Sequence, residues 1–262
     1  MSVSGKILKD IIRACVLGAI ILCLAVSMGV SGAVRDRMTC TGTEITVLDS
    51  AECGFVSEQD VLEYLSEGYG QTAGVPIGNL DLKKMETMLD SRSAILKSEA
   101  YCTRDGILHI DITQRKPFMR FQKDGAGFYA DEEGYIFPVR PGRSGYVVVI
   151  DGHIPLRLDS SRQGKPVSEK ERAWLGQMTN LVGYMSEHKG WDRNIVQINV
   201  RENGDLVLIP REGRERFIFG KPERTEEKFG LMECYYGTIL PVAGKDRYGS
   251  VDVRYEGQII CK

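Results

Sequence analysis

The residue types able to carry chemistry are few and scattered. The three histidines, His109, His153 and His188, could serve as general bases or metal ligands, but no HxxxH or HExxH spacing puts two of them on one helix face. His109 alternates with Leu108 and Ile110, which points it to the polar side of a strand; His153 lies in a Gly-His-Ile-Pro loop. His188 closes a helical stripe, where a cation is favourable against the helix dipole. Asp131-Glu132-Glu133 crowds three carboxylates ahead of Gly134. Paired acids can share general acid and base work, but consecutive acids before a glycine read as a solvated turn. Gly125–Ala130 spells GxGxxA, which holds a pyrophosphate only between a strand and a helix N-terminus. Here a strand follows, and the segment reads as a hairpin turn. GxSxG and P-loop patterns are absent from the sequence. Of the seven cysteines, Cys40, Cys53, Cys102, Cys234 and Cys261 lie beyond the apolar N-terminal stretch. An odd number cannot pair fully within one chain, and without a CxxC zinc is not suggested; most read as buried free thiols. These residues point to no enzyme, no metal centre and no cofactor.

The elements that would position them begin with an anchor. The 21 residues Ala14–Val34, ACVLGAIILCLAVSMGVSGAV, carry no charge. At about 1.5 Å per residue, such a helix spans a hydrocarbon core of about 30 Å. Cys15 and Cys23 fall within it, and no polar face interrupts it. Lys6, Lys9 and Arg13 against Asp10 precede it, while Arg35, Asp36 and Arg37 follow. That bias puts residues 1–13 in the cytoplasm and the bulk of the chain outside it. Ser31-Gly32-Ala33 would suit a signal peptidase, so a cleaved leader is the alternative; the stretch exceeds a usual signal-peptide core, and we expect a retained transmembrane helix over 14–34. The balance of 34 Lys+Arg against 36 Asp+Glu, with 42% hydrophobic content, gives no nucleic-acid footprint and argues against disorder.

Beyond the span, Ile45 and Val47 mark a strand. Ser57 with Asp60 three residues on is a capping-box start, followed by the stripe Val61, Leu62, Leu65 to about Gly68. Asp81 caps a second helix with Leu82, Met85, Met88 and Leu89 on one face. Ala94–Cys102 and Ile107–Gln114 read as a hairpin about Arg104-Asp105-Gly106. The order is β-α-α-β-β, one sheet face covered by two helices. Pro117 marks a boundary, giving domains 38–115 and 116–262. The second is strand-rich: a hairpin about Lys123–Ala126, Tyr146–Ile150, a long helix Ser168–His188 with the stripe Trp174, Leu175, Met178, Leu181, Val182 and Met185, a hairpin about Asn203-Gly204, a strand Arg216–Phe219, a helix Thr225–Leu240, and a last strand from about Ser250 to Cys261. The fold class is α+β: the N-terminal transmembrane helix, the β-α-α-β-β unit, then a larger domain with a mixed or antiparallel sheet and two helices. In the last strand Val251, Val253 and Tyr255 alternate with Asp252, Arg254 and Glu256. A terminal strand at a sheet edge offers backbone groups to a strand of another chain; an internal, fully paired strand is the alternative.

The ordered set of motifs resembles the FtsQ/DivIB family of bacterial division scaffold proteins. The β-α-α-β-β unit after a single span is similar to a POTRA domain. Gln114-Arg115-Lys116-Pro117 is similar to the family's interdomain "QR.P", Phe128–Phe137 to its "fyvD.dG..f" hairpin, and Val251–Tyr255 to its "vDlRY" strand, with Ala130 where valine is common. The resemblance implies a non-catalytic organiser of septal division proteins in the cell inner membrane, its N-terminus cytoplasmic and its bulk periplasmic, enriched at the division septum. It implies recruitment through the POTRA-like part and binding of an FtsB/FtsL-type partner by strand addition beside the last strand. Arg254 and Tyr255, followed by Gly257, Gln258, Ile259 and Ile260, become the expected partner-binding residues. The competing reading is a membrane-anchored secretion or outer-membrane assembly component that binds polypeptides through its POTRA-like unit; that unit usually recurs in several copies before a barrel, and here it is single.

Overall fold

The computed structural model describes residue 13 and residues 16–26, 38–50, 54–140, 142, 145–159, 163–188, 190–245 and 247–262. Residues 16–26 are helical (α1) and leave Val16, Leu17, Ile20, Ile21, Leu22, Leu24 and Val26 exposed. The expected span 14–34 runs into residues outside the described ones at both ends. Among the described residues no helix is long and apolar enough to cross a membrane, so the transmembrane part of the expected fold is unconfirmed. The rest is mixed α+β. It falls into two compact units, one within Met1–Leu48 and Val56–Thr113, the other within Asp49–Phe55 and Gln114–Lys262.

The first unit runs β1 (Gly42–Val47), α2 (Glu58–Gly68), a 3-10 turn at Ile77–Asn79, α3 (Leu82–Asp90), β2 (Ile95–Cys102) and β3 (Ile107–Gln114). The caps are those the sequence predicts. Ser57 and Asp60 form a reciprocal capping box, and the Asp81 carboxylate accepts the Lys84 N–H at 2.9 Å. The sheet order is β1-β3-β2, with β1 parallel to β3 in the register Ile45↔Ile110 and Val47↔Ile112. Period-two alternation puts Leu108, Ile110 and Ile112 on one face, where Val61, Leu65, Met85 and Leu89 of the two helices join them in burial. Each such side chain contributes about 1.5–3 kcal/mol by leaving water.

The second unit is one nine-stranded sheet in the order β12-β11-β10-β9-β8-β7-β4-β5-β6. Its strands are β4 (Met119–Lys123), β5 (Ala126–Ala130), β6 (Ile136–Pro138), β7 (Val148–Gly152), β8 (Ile195–Val200), β9 (Leu206–Pro210), β10 (Arg216–Gly220), β11 (Ser250–Asp252) and β12 (Ile260–Cys261). The β4–β5 turn carries Asp124 and Gly125 at φ 50° and 81°, the left-handed pair of a two-residue hairpin. GxGxxA is therefore a turn and a strand, as expected. Helix α4 (Glu169–Glu187) buries Leu175, Met178, Leu181, Val182 and Met185 against Phe121, Ile150, Ile198, Leu208 and Phe217 on one sheet face.

The expected helix Thr225–Leu240 is present as α6 (Thr225–Cys234), a π-helical turn at Tyr235–Ile239 and α7 (Leu240–Ala243). Two expectations need correcting. The last strand is not continuous: it breaks after Asp252 and resumes at Ile260. Among the described thiols beyond the apolar stretch, Cys40 is buried, Cys102 and Cys261 are half-buried and Cys234 is exposed, so burial is not their common role; Cys53 lies outside the described residues.

Asp131 departs from a solvated turn as well. It is 7% exposed, and its Oδ2 takes a 2.9 Å bond from Arg115 Nη1, while Oδ1 accepts the Tyr135 N–H at 2.8 Å. The Arg115 guanidinium lies 3.6 Å from the Tyr135 ring centroid. The Gln114–Pro117 junction and the Asp131–Gly134 turn are thereby fastened together.

Candidate functional site

The break in the last strand builds the site. Asp252 ends β11, and its Oδ1 accepts the Arg254 N–H at 3.1 Å, a side-chain turn that competes with the extended ladder. The Arg254 side chain then folds back on the same carboxylate, with Nε at 3.0 Å from Oδ1 and Nη2 at 2.7 Å from Oδ2. Its third group, Nη1, reaches Asp205 Oδ2 at 3.2 Å. Asp205 arrives from the Asn203-Gly204 turn between β8 and β9, and both carboxylates are buried, at 8% and 9% exposed.

Burial pushes the Asp252 carboxyl up, but the hydrogen bonds and charge of Arg254 outweigh it and hold the group below the usual carboxylate range. Donation to the Asp252 carboxylate in turn raises the Arg254 guanidinium further above its already high value. Gly220 makes room for this arrangement: it sits at φ +73°, and a Cβ there would lie 2.8 Å from Arg254 Cγ.

Helix α6 clamps the following turn. Arg224 Nη2 donates to the Arg254 carbonyl at 2.6 Å, and the Gly257 N–H donates to Glu227 Oε1 at 3.3 Å. Gly257 takes φ +61° and reverses the chain. β12 therefore returns antiparallel to β11, with Val251 opposite Cys261 and Asp252 opposite Ile260.

The six expected residues separate accordingly. Arg254 turns into the ion network, its side chain 35% exposed. Ile259 packs against the core. Tyr255 (48%) and Ile260 (38%) present apolar surface to solvent, flanked by exposed Gly257 and Gln258. Asp252, Asp205, Gly220, Arg224 and Glu227, which shape the turn, escape sequence reasoning. The Asn203-Gly204 turn and the glycine ending β10 are visible in the sequence, but their meeting with Arg254 is long-range.

Backbone geometry defines what the edge offers. Ser250 and Lys262 exchange both of their hydrogen bonds, at 3.0 and 2.9 Å. Ladder alternation then makes Val251–Cys261 a non-bonded pair, with the N–H and C=O of Cys261 turned outward from β11. The sheet's other edge is closed: Ile136 of β6 exchanges bonds of 3.1 and 2.9 Å with Gly164, and Pro138 removes a donor. β12 is the sheet edge that carries no further strand among the described residues. The arrangement suits strand addition with a tyrosine and an isoleucine as side-chain contacts. Among the described residues no group of His, Cys, Asp or Glu is placed to hold a metal ion.

Comparison with known families gives two matches. The family described as FtsQ/DivIB, C-terminal related, matches residues 116–262. A POTRA-like domain matches residues 38–113. No curated protein matches the chain.

Proposed function

This chain belongs to the FtsQ/DivIB family, and on that premise we propose that it is a non-catalytic cell-division scaffold that binds an FtsB/FtsL-type partner by strand addition beside β12. The observation that carries this reading is the open β12 edge, with Tyr255 and Ile260 exposed beside it. Backbone pairing supplies affinity there and the two side chains supply selectivity. Arg254 acts from behind, holding the turn that presents Tyr255. The domains act as 38–115 and 116–262, the first POTRA-like part serving recruitment of other divisome components. The protein is anchored through 14–34, with its N-terminus in the cytoplasm and its bulk in the periplasm at the septum. The exposed apolar side chains of α1 support that anchoring. The secretion or outer-membrane assembly alternative offers no counterpart to the match over residues 116–262.

Co-purification tests it. Tyr255→Ala and Ile260→Asp proteins should lose an FtsB-type partner while staying folded, and a fluorescent fusion to the N-terminus should band at midcell. Unaltered co-purification would remove these residues from the site, and an even envelope signal with normal division after depletion would discard the scaffold reading.

A further inference from the structure

A cleft lies at the opposite end of β10 and β11 from the Arg254–Gly257 turn. The segments that lead into β7, β8, β10 and β11 converge there with the π-helical turn around a cleft of about 770 Å³, the size range of ligand sites. Its rim is cationic: Arg193, Arg211 and Lys245 line it and are exposed. Of the two carboxylates present, Glu215 is withdrawn at 4% exposed, beneath Gly213, where a Cβ would collide with it; Glu212 remains at the surface.

Arg211 is held in place. Its N–H donates to the Asn194 carbonyl at 2.6 Å and its Nε to the Arg193 carbonyl at 3.0 Å, while the guanidinium lies 5.0 Å from the ring centroid of Tyr146, itself 73% exposed. The two Nη groups have no partner among the described residues.

The floor supplies an independent observation. Tyr236 lines the cleft from the π-helical turn Tyr235–Ile239, a rare geometry that re-aims side chains and recurs at functional sites. Its hydroxyl is buried and, among the described residues, makes no hydrogen bond of regular geometry, with Asn194 and Glu215 the polar groups beside it; a buried polar group so placed calls for an explanation. Burial foremost, with the Glu215 carboxylate, pushes that hydroxyl well above its ordinary range, so it stays protonated. Leu240 adds an apolar wall.

We propose that this cleft is a second docking site of the scaffold, for an acidic peptide segment of a partner protein that sets carboxylates on Arg211 and Lys245 and an aromatic side chain against Tyr236 and Leu240. It stands independently of strand addition at β12, because it uses other residues at the other end of the strands.

The test titrates the full chain in detergent micelles with a fluorescein-labelled peptide library, Glu-X-Phe-X-Glu, read by anisotropy. Saturable binding is expected, weakened about tenfold or more by the pair Arg211→Glu and Lys245→Glu through charge reversal. Binding is expected to be unchanged in Tyr255→Ala, which separates this site from the β12 edge. Both reversed positions are exposed, and thermal melting verifies that the variants fold. No saturable binding, equal binding of a Lys-X-Phe-X-Lys library, or full affinity in the reversed variant would overturn the proposal.

Discussion

Arg254 lays its aliphatic stem across Gly220, the residue that ends β10; a Cβ at Gly220 would stand 2.8 Å from Arg254 Cγ and 2.9 Å from Cδ. A glycine at φ +73° and an arginine 34 positions later are thus one fitted pair. Gly220→Ala should cost about 1–3 kcal/mol in chemical denaturation, since it combines left-handed backbone with this collision. It should also lower partner affinity by displacing Arg254. Wild-type stability and binding in this variant would mean that Arg254 does not depend on the space.

The Asp252–Arg254 pair makes a pH-dependent contribution of defined sign. The Asp252 carboxyl is held below its usual value of 3.8 in the folded state. The stability it confers is therefore present above that value and lost as pH falls through the folded value. Asp252→Asn should melt below wild type near neutral pH, and the gap should shrink once the pH is taken well below 3.8. Melting curves at pH 7 and in acid decide; a gap that persists or widens in acid contradicts the pairing.

Arg115 and Asp131 are a buried pair, at 11% and 10% side-chain exposure. Arg115→Met would strand the Asp131 charge and should cost about 3 kcal/mol, the usual order for breaking a buried pair from one side. Adding Asp131→Asn should recover part of that loss, since the stranded charge then disappears. A double-mutant cycle in urea measures the coupling, and strict additivity would count against it.

The side chains of Tyr255 and Ile260 are exposed and stand outside the packed core. Tyr255→Ala and Ile260→Asp should leave the melting temperature near wild type. Each should weaken an FtsB-type partner by about 2 kcal/mol, the scale of a central interface residue. Calorimetric titration of the two variants checks this; loss of folding in place of affinity would reassign them as structural.

Where neighbours in sequence are neighbours in space, the chain is readable. Ser57–Asp60, Asp81, the Arg104–Gly106 turn and the Asn203-Gly204 hairpin declare themselves within a few residues, and so do the strands and helices they delimit. The failures are long-range. Val251, Val253 and Tyr255 alternate as a strand should, and Val253 N–H still donates to the Ile218 carbonyl at 3.1 Å. The chain nevertheless leaves the ladder at Arg254, whose N–H and guanidinium donate to Asp252 and whose guanidinium also reaches Asp205, its stem filling the space over Gly220. Asp131 reads as solvated until Arg115 is seen beside it. The π-helical turn has no sequence mark of its own, so the cleft lined by Tyr236 was out of reach. The six residues expected at the site lie in one turn and strand, but which of them turn inward and which face solvent required the side chains.

Amide hydrogen exchange at the β12 edge tests strand addition most directly. An FtsB-type extracytoplasmic segment would be added to the full chain and exchange followed residue by residue. The outward-facing Cys261 N–H should become protected, while Ile136 at the closed β6 edge stays unchanged. Binding that leaves Cys261 exchanging at its free rate, with protection appearing elsewhere, would contradict partner recognition at this edge.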